Sequence, residues 1–245
     1  GLDPLAFLTW SVLGAAAVLG GVGAARQRLP QLNARTVEYF FVAGLVSLAA
    51  PTLLFFTAIP KVGAGFVALA IAFPPLFTYL GALVFRMERF QAGRAIGVAL
   101  ALGGAVMLAL SKLSEPNIEP FWVIATLSGP LLLAAGNIYR TLRWPEGVAP
   151  DVLAPGMLAA SALMLLAVGV VAGILLGAPA GFSLAVPMDR AAPVLLVLAQ
   201  VATFSVQYFL FFILQQRGGP VYLSLLGSVG AVVGVPIAVL FLGEA

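Results

Sequence analysis

A stripe of polar side chains runs through a long apolar segment, 200-QVATFSVQYFLFF-212. At about 100 degrees per residue on a helix, Gln200, Thr203 and Gln207 share an arc of about 100 degrees with the rings of Phe204 and Phe211. Such a face can hydrogen-bond and stack on a small solute. It can instead bond a neighbouring helix, for about 0.6 to 2 kcal/mol per bond. Because an unsatisfied amide is costly in lipid, we expect this face to look into protein or a wet cavity.

Residues of similar chemistry lie at the expected mid-depth of three other segments. Pro74 and Pro75 predict a break in the helical ladder whose freed carbonyls could bind a polar solute, although a plain kink is an equal alternative. Serines among small residues could line a cavity or permit close helix packing. The predicted substrate-binding residues are Ser47, Phe73, Phe77, Tyr79, Gln200, Thr203, Gln207, Ser224 and Ser228.

The chain contains neither cysteine nor histidine, which removes most enzymatic chemistry. Disulfides and zinc sites lack their usual ligands, and a serine nucleophile has no histidine to activate it. No glycine loop with a lysine is present to hold a phosphate. We therefore expect a protein that is not an enzyme, with no catalytic residue, no metal site and no cofactor.

The composition indicates that lipid surrounds most of the chain. It is 62% hydrophobic and 9% charged, with a mean hydropathy of +1.12, whereas soluble domains are about 45–50% apolar and about 25% charged. A spanning helix needs about 20 mostly apolar residues. Eight segments between charges qualify, namely 4–25, 37–59, 63–85, 92–111, 120–139, 152–176, 192–215 and 219–242.

The distribution of basic residues predicts which connections face the cytoplasm. Nine of the 12 basic residues fall in alternate connections or at the span end beside one, and positive charge marks the cytoplasmic side. The predicted cytoplasmic connections are 26–36, 86–91, 140–151 and 216–218. The net charge of +3 is accounted for in this way, so no nucleic-acid partner is expected.

The sequence repeats itself at an offset of 156 residues, which places 55-FFTAIPKVGAGFVAL-69 on 211-FFILQQRGGPVYLSL-225. Chance alignment of apolar sequence is the alternative. Against chance, a basic residue, a glycine and a glutamate coincide without a gap: Lys61 with Arg217, Gly63 with Gly219 and Glu88 with Glu244.

The repeat predicts an all-α membrane protein built from two inverted five-helix units. Each half contains a span that the other lacks, so the full fold has ten transmembrane helices, of which eight are evident. Residues 1–112 would hold helices two to five of the first unit, and residues 113–245 helices one to four of the second. An odd number of spans per unit gives the halves opposite orientations, which is typical of secondary transporters with a site near the midplane.

No charged residue is expected at mid-depth in the visible spans. Proton-driven pumps usually carry one, so we expect facilitated diffusion or exchange of a neutral or zwitterionic solute. There are two competing interpretations. A scaffold subunit would show no saturable flux, and a channel would show electrical conductance.

The two repeated stretches, 62-VGAGFVALAIAFPPLFTYLGALVFRMERF-90 and 219-GPVYLSLLGSVGAVVGVPIAVLFLGEA-245, resemble the EamA branch of the drug/metabolite transporter superfamily. The pair 243-GE-244, altered to 87-ME-88, is similar to that family's ending of the fourth helix. The resemblance implies ten helices, an inside amino terminus and a cavity between the halves. It also implies that this sequence lacks two terminal helices of a longer protein.

Within that family, 130-PLLLAAGN-137 followed by 139-YRTLRWPEG-147 resembles the bacterial aromatic amino acid exporters. This implies export of amino acids such as phenylalanine, tyrosine and tryptophan. The alternative is a drug or nucleotide-sugar carrier of the same superfamily. A carrier of anionic nucleotide sugars would need basic residues at mid-depth to bind them, and a carrier of cationic drugs would need a buried carboxylate.

Arginine outnumbers lysine ten to two, and alanine and glycine abound, which suggests a bacterial genome of high GC content. The expected home is the bacterial inner membrane, with the lipid bilayer and a small-molecule substrate as the partners. A monomer is favoured, although the sequence does not fix the oligomeric state.

Overall fold

The computed structural model describes residues 2–30, 32–177, 183–187 and 190–237, without the side chains of 176, 227, 228 and 230–237. All regular structure in these ranges is helical. The order is α1 (Pro4–Ala25), α2 (Ala34–Gly44), a π-helical turn (Leu45–Ala49), α3 (Ala50–Val62), α4 (Ala64–Ala70), α5 (Pro74–Val84), α6 (Ala92–Leu113), α7 (Pro120–Leu142), α8 (Pro150–Leu176) and α9 (Ala191–Ile237).

Seven helical stretches within the described ranges are long and apolar enough to cross a membrane. The predicted all-α membrane fold is therefore confirmed. The predicted segments 192–215 and 219–242 both fall on α9, which explains why eight predicted segments correspond to seven stretches. The part of the last segment beyond residue 237 lies outside the described residues.

Local capping explains where several helices begin and end. The Asp3 side chain accepts a hydrogen bond from the amide of Leu5, and Pro4 occupies the first turn of α1. Asn33 accepts from the amide of Thr36 at 2.9 Å and caps α2. Gly177 ends α8 in the left-handed conformation that glycine tolerates best. Each of these helix ends therefore has a local chemical cause.

The predicted connection 86–91 lies between α5 and α6, but the other three predicted connections need correction. Helix α2 begins at Ala34, so the connection predicted at 26–36 ends too late. Helix α7 continues to Leu142, so the connection predicted at 140–151 starts too early. Residues 216–218 are helical, and the departure from helical geometry falls at Gly219. The assignment of all four connections to the cytoplasm stays a prediction.

The two glycines matched by the repeat adopt a similar special conformation. Gly63 has φ 87° and ψ 150°, and Gly219 has φ 73° and ψ −177°. Backbone in this region is essentially restricted to glycine because a Cβ would clash. Gly63 separates α3 from α4, and Gly219 kinks α9. The shared conformation supports the repeat, whereas the halves 1–112 and 113–245 and their opposite orientation stay predictions.

The predicted break at the paired prolines is present. Helix α4 ends at Ala70, and α5 starts at Pro74 after three residues outside both helices. Proline is accepted at the first helical position because its missing N–H has no partner there in any helix. The break places Phe73 immediately before α5, at the N-cap position.

The described residues of Gly1–Leu53 and Tyr139–Arg217 form one compact unit, called unit 1. Those of Leu54–Ile138 and Gly218–Ala245 form another, called unit 2. Each has its own buried cluster of large side chains. The unit 1 cluster includes Tyr39, Phe40, Leu153, Met157 and Phe212. The unit 2 cluster includes Phe55, Val62, Phe66, Val67 and Val123.

Candidate functional site

The polar stripe on α9 belongs to unit 1 and makes no bond to a neighbouring helix within the described part of the chain. Gln200 is half-buried, and Thr203 and Gln207 are exposed. The Thr203 hydroxyl donates to the carbonyl of Ala199 in its own helix at 2.9 Å. Neither glutamine amide is hydrogen-bonded to any residue in the described part of the chain. The stripe was predicted either to bond a neighbouring helix or to bind a solute. The bonds that the first interpretation requires are not observed among the described residues.

Aromatic rings continue along α9 from the stripe. Phe204 and Tyr208 meet edge to face with ring centroids 5.7 Å apart, and Tyr208 contacts Phe211 at 5.6 Å. Aromatic pairs favour these tilted arrangements. Hydrogen-bonding amides and aromatic rings are thus present together on one stretch of helix.

Two other predicted residues, Phe73 and Tyr79, line one cavity in unit 2. This cavity, called the unit 2 cavity, has a volume of about 420 Å³. Most of its lining is apolar. The lining residues are Ala72, Phe73, Pro75, Leu76, Tyr79, Glu88, Arg94, Gly97, Val98, Ala101, Val221, Tyr222 and Leu225.

Charged groups occupy one part of the unit 2 cavity lining. Arg94 Nη1 lies 3.1 Å from Glu88 Oε2. The guanidinium carbon of Arg94 is 6.0 Å from the centroid of the Tyr79 ring. The Tyr79 hydroxyl accepts a hydrogen bond from the amide of Gln91 at 3.1 Å, which fixes its position. A ligand in this cavity would meet apolar side chains along most of its surface and an ion pair at one place.

The remaining predicted residues fall at separate positions. Ser47 lies in the π-helical turn, and its buried hydroxyl oxygen has no hydrogen-bond partner. Such turns occur frequently at functional sites. Phe77 is half-buried and does not line the unit 2 cavity. The buried Ser224 donates to the carbonyl of Val221 at 2.6 Å. The side chain of Ser228 lies outside the described residues.

The structure therefore places the nine predicted residues in two groups and several single positions. Gln200, Thr203 and Gln207 share α9 in unit 1, whereas Phe73 and Tyr79 share a cavity in unit 2. The assignment of all nine to one substrate site stays a prediction.

Sequence reasoning missed Arg140, which is fully buried with 0% of its surface exposed. It lies in the last turn of α7 and not in a solvated connection as predicted. Its guanidinium carbon is 4.4 Å from the centroid of the Phe211 ring and 5.8 Å from that of Phe212. Its Nη1 donates to the sulfur of Met157 at 3.9 Å. Aromatic rings and a polarisable sulfur therefore shield this cation.

Arg140 was missed because the predicted span 120–139 ended at this charge, and a charge used as a boundary cannot be found inside the span. The residues that break helices would have given a better carboxyl-terminal boundary for this span. The first helix breaker after the apolar run is Pro145, and the residue before a proline is biased away from helical geometry. A boundary set by Pro145 would have kept Arg140 within α7.

Buried polar side chains do join helices at other places in each unit. In unit 1, the Gln215 side-chain amide donates to the Thr141 hydroxyl at 3.1 Å. In unit 2, the amide of the buried Asn137 donates to the Thr78 hydroxyl at 3.4 Å. These amides therefore act in helix packing, which the stripe glutamines do not.

Comparison with known proteins finds a similarity to one family in the first part of the chain. Residues 1–110 match the model of the EamA-like transporter family. A WAT1-related protein of Arabidopsis thaliana is 30% identical over 99 residues, which cover 38% of this chain and 28% of that relative. The chain therefore aligns with less than a third of that relative's length.

The match of residues 1–110 points to a membrane transporter. It agrees with the suspected EamA branch and the drug/metabolite transporter superfamily. Together with the seven apolar helices in the described ranges, it supports a multi-pass membrane protein whose residues 1–110 are similar to the EamA-like transporter family.

Proposed function

We propose that the chain is part of a secondary transporter that exports small neutral or zwitterionic metabolites by alternating access. Aromatic and other amino acids are the proposed substrates, in keeping with the resemblance of 139-YRTLRWPEG-147 to the aromatic amino acid exporters. The proposed location is a bacterial inner membrane, and the proposed transport needs no cofactor. The match of residues 1–110 to a transporter family supports the general class.

The observation that carries the proposal is the unbonded pair of stripe amides, Gln200 and Gln207. Each glutamine side chain offers two donor hydrogens and one acceptor oxygen. Amides in a membrane protein must be satisfied by water, protein or a ligand. Because these amides make no helix-to-helix bond to the described residues, they are available to a solute. The neighbouring, partly exposed ring of Phe204 offers apolar contact to the remainder of that solute.

The charge of the stripe supports a neutral or zwitterionic substrate. Gln200, Thr203 and Gln207 carry no formal charge, so they supply no counter-charge for a net ion. Arg140 is a buried cation in the same unit, but a guanidinium keeps its proton at physiological pH and does not relay protons. Facilitated diffusion or exchange therefore fits these residues better than proton coupling.

Uptake of labelled phenylalanine into proteoliposomes tests this function. Replacement of Gln207 by Ala removes an amide that the proposal assigns to substrate, so we expect apparent affinity to fall about three- to tenfold. Thr203→Val should have a smaller effect, because that hydroxyl already donates within its own helix. Gln216→Ala is the matched control, an exposed glutamine about 180 degrees around the helix from Gln207.

Three outcomes of this experiment would count against the proposal. Unchanged affinity and rate in Gln207→Ala would remove the stripe from the substrate site. An absence of saturable flux in the unaltered protein would reject transport and favour a scaffold. Acceleration of uptake by a pH gradient would reject the absence of proton coupling.

A further inference from the structure

The unit 2 cavity combines a large apolar volume with one ion pair. Its volume of about 420 Å³ exceeds the roughly 150 Å³ that suffices for a dry cavity to take up benzene. It also falls in the usual range of small-molecule sites, about 300 to 1,000 Å³. The cavity can therefore hold an aromatic or branched aliphatic group with space for a polar head.

The Glu88–Arg94 ion pair can exchange partners at small cost. The side chain of Arg94 is 43% exposed and that of Glu88 is 30% exposed. Partly solvated ion pairs contribute little to stability because water competes with each charge. Glu88 lies in the connection between α5 and α6, and Arg94 lies in the first turn of α6, a helix with no buried residue. A ligand can therefore separate the pair without unfolding the surrounding helices.

We propose that the unit 2 cavity binds an apolar zwitterion. The ligand carboxylate pairs with the Arg94 guanidinium, and the ligand ammonium pairs with the Glu88 carboxylate. The apolar side chain of the ligand lies among Phe73, Leu76 and Val98. This site goes beyond the proposed function, because the stripe residues Gln200, Thr203 and Gln207 do not line the cavity.

Both charges are needed because a ligand with a single charge satisfies only one half of the ion pair. A lone carboxylate would take Arg94 and leave Glu88 without its partner, and a lone amine would do the reverse. A zwitterion replaces one ion pair with two, and charge-assisted hydrogen bonds of this kind are among the strongest polar contacts. The cavity therefore selects for the presence of both groups on one molecule.

Filling the cavity gives the first test, with labelled phenylalanine as the probe and the purified full chain as the protein. Gly97 lines the cavity, and a Cβ added there meets no atom within 4 Å. Gly97→Leu should therefore occupy the ligand volume without disturbing the helix, and the Kd should rise at least about tenfold. Gly104→Leu is the matched control, at an open position of the same helix that does not line the cavity.

The control should bind phenylalanine within about twofold of the unaltered protein. An equal loss in both variants would assign the effect to α6 itself and overturn the inference. Full binding by Gly97→Leu would overturn it as well, because the probe would then lie elsewhere.

Removing one charge at a time gives the second test and separates recognition from a structural role. The probes are phenylalanine, 3-phenylpropionate, which lacks the ammonium, and phenethylamine, which lacks the carboxylate. The unaltered protein should bind phenylalanine about tenfold or more tightly than either analogue. Arg94→Gln should abolish the advantage of phenylalanine over phenethylamine, and Glu88→Gln its advantage over 3-phenylpropionate. Equal weakening of all three probes in both variants would overturn the proposed pairing.

The zwitterion could come from the lipid as well as from solution. Binding of phenylalanine in nanodiscs of phosphatidylglycerol should equal that in nanodiscs of phosphatidylethanolamine. A clear loss of affinity in phosphatidylethanolamine would assign the cavity to a lipid head group and overturn the small-molecule assignment. Failure of all these binding tests with uptake still sensitive to Gln207→Ala would overturn this inference alone and leave the proposed function in place.

Discussion

Two arginines of this chain contact aromatic rings in very different surroundings. Arg140 in unit 1 is completely buried, with its guanidinium carbon 4.4 Å from the Phe211 centroid. Arg94 in unit 2 has a side chain that is 43% exposed, lies 6.0 Å from the Tyr79 centroid and pairs with Glu88. Enclosure, and not residue type, therefore decides whether such a cation holds helices together or remains available to a ligand.

The elements around each arginine explain the difference. Arg140 contacts Met157 of α8 and the rings of Phe211 and Phe212 of α9. Met157 and Phe212 belong to a buried cluster that also contains Tyr39 of α2. Arg94 begins α6, a helix in which no residue is buried. An arginine among packed rings gains cation–π attraction that increases when water is excluded, whereas an arginine in water gains little.

Replacement of Arg140 by Ala is the strongest way to test this comparison. It removes a large buried side chain and its contacts with two rings, so we expect the free energy of unfolding to fall by about 3 kcal/mol or more. Arg140→Lys should recover only part of the loss, because an ammonium lacks the flat surface that stacks on Phe211. Denaturant unfolding in detergent measures both variants. A loss below about 1 kcal/mol in Arg140→Ala would show that burial does not make this arginine structural.

The glycines of the two units provide a second test of enclosure. A Cβ at Gly156 would overlap the ring of the buried Phe40, whereas one at Gly104 meets no atom within 4 Å. Gly156→Ala should therefore destabilise by about 1–3 kcal/mol through overpacking. Gly104→Ala should stabilise by about 0.5–1 kcal/mol, because alanine loses less backbone entropy in a helix. Thermal unfolding of both variants measures these changes. A change of the same sign in both variants would show that enclosure does not decide the effect of the added Cβ.

The sequence predicted the helices well because composition and turn chemistry act locally. The span at 4–25 matches α1 to the residue, with Asp3 as its cap and Pro4 in its first turn. The break before Pro74 and the unusual glycines at 63 and 219 also follow from local residue preferences. These features depend on a few neighbouring residues, so one sequence is enough to indicate them.

The candidate sites could be predicted only in part because they depend on tertiary contacts. Phe73 and Tyr79 were identified from one segment, but the cavity also needs Arg94 on α6 and Tyr222 on α9. The burial of Arg140 depends on Phe211, which lies 71 residues further along the chain. Hydrophobic periodicity indicates which face of a helix is buried but not which helix covers it.

Replacement of Arg94 by Gln should have the smallest effect on stability and completes the comparison. The exposed ion pair with Glu88 is expected to contribute about 0–1 kcal/mol, so the unfolding free energy should change by no more than that. Any loss should shrink as salt is raised, because the Debye length falls from about 10 Å at 0.1 M to about 3 Å at 1 M. Denaturant unfolding at these two salt concentrations is the measurement. A salt-independent loss as large as that of Arg140→Ala would show that Arg94 is also part of the packing, and it would then be unable to exchange its partner for a ligand.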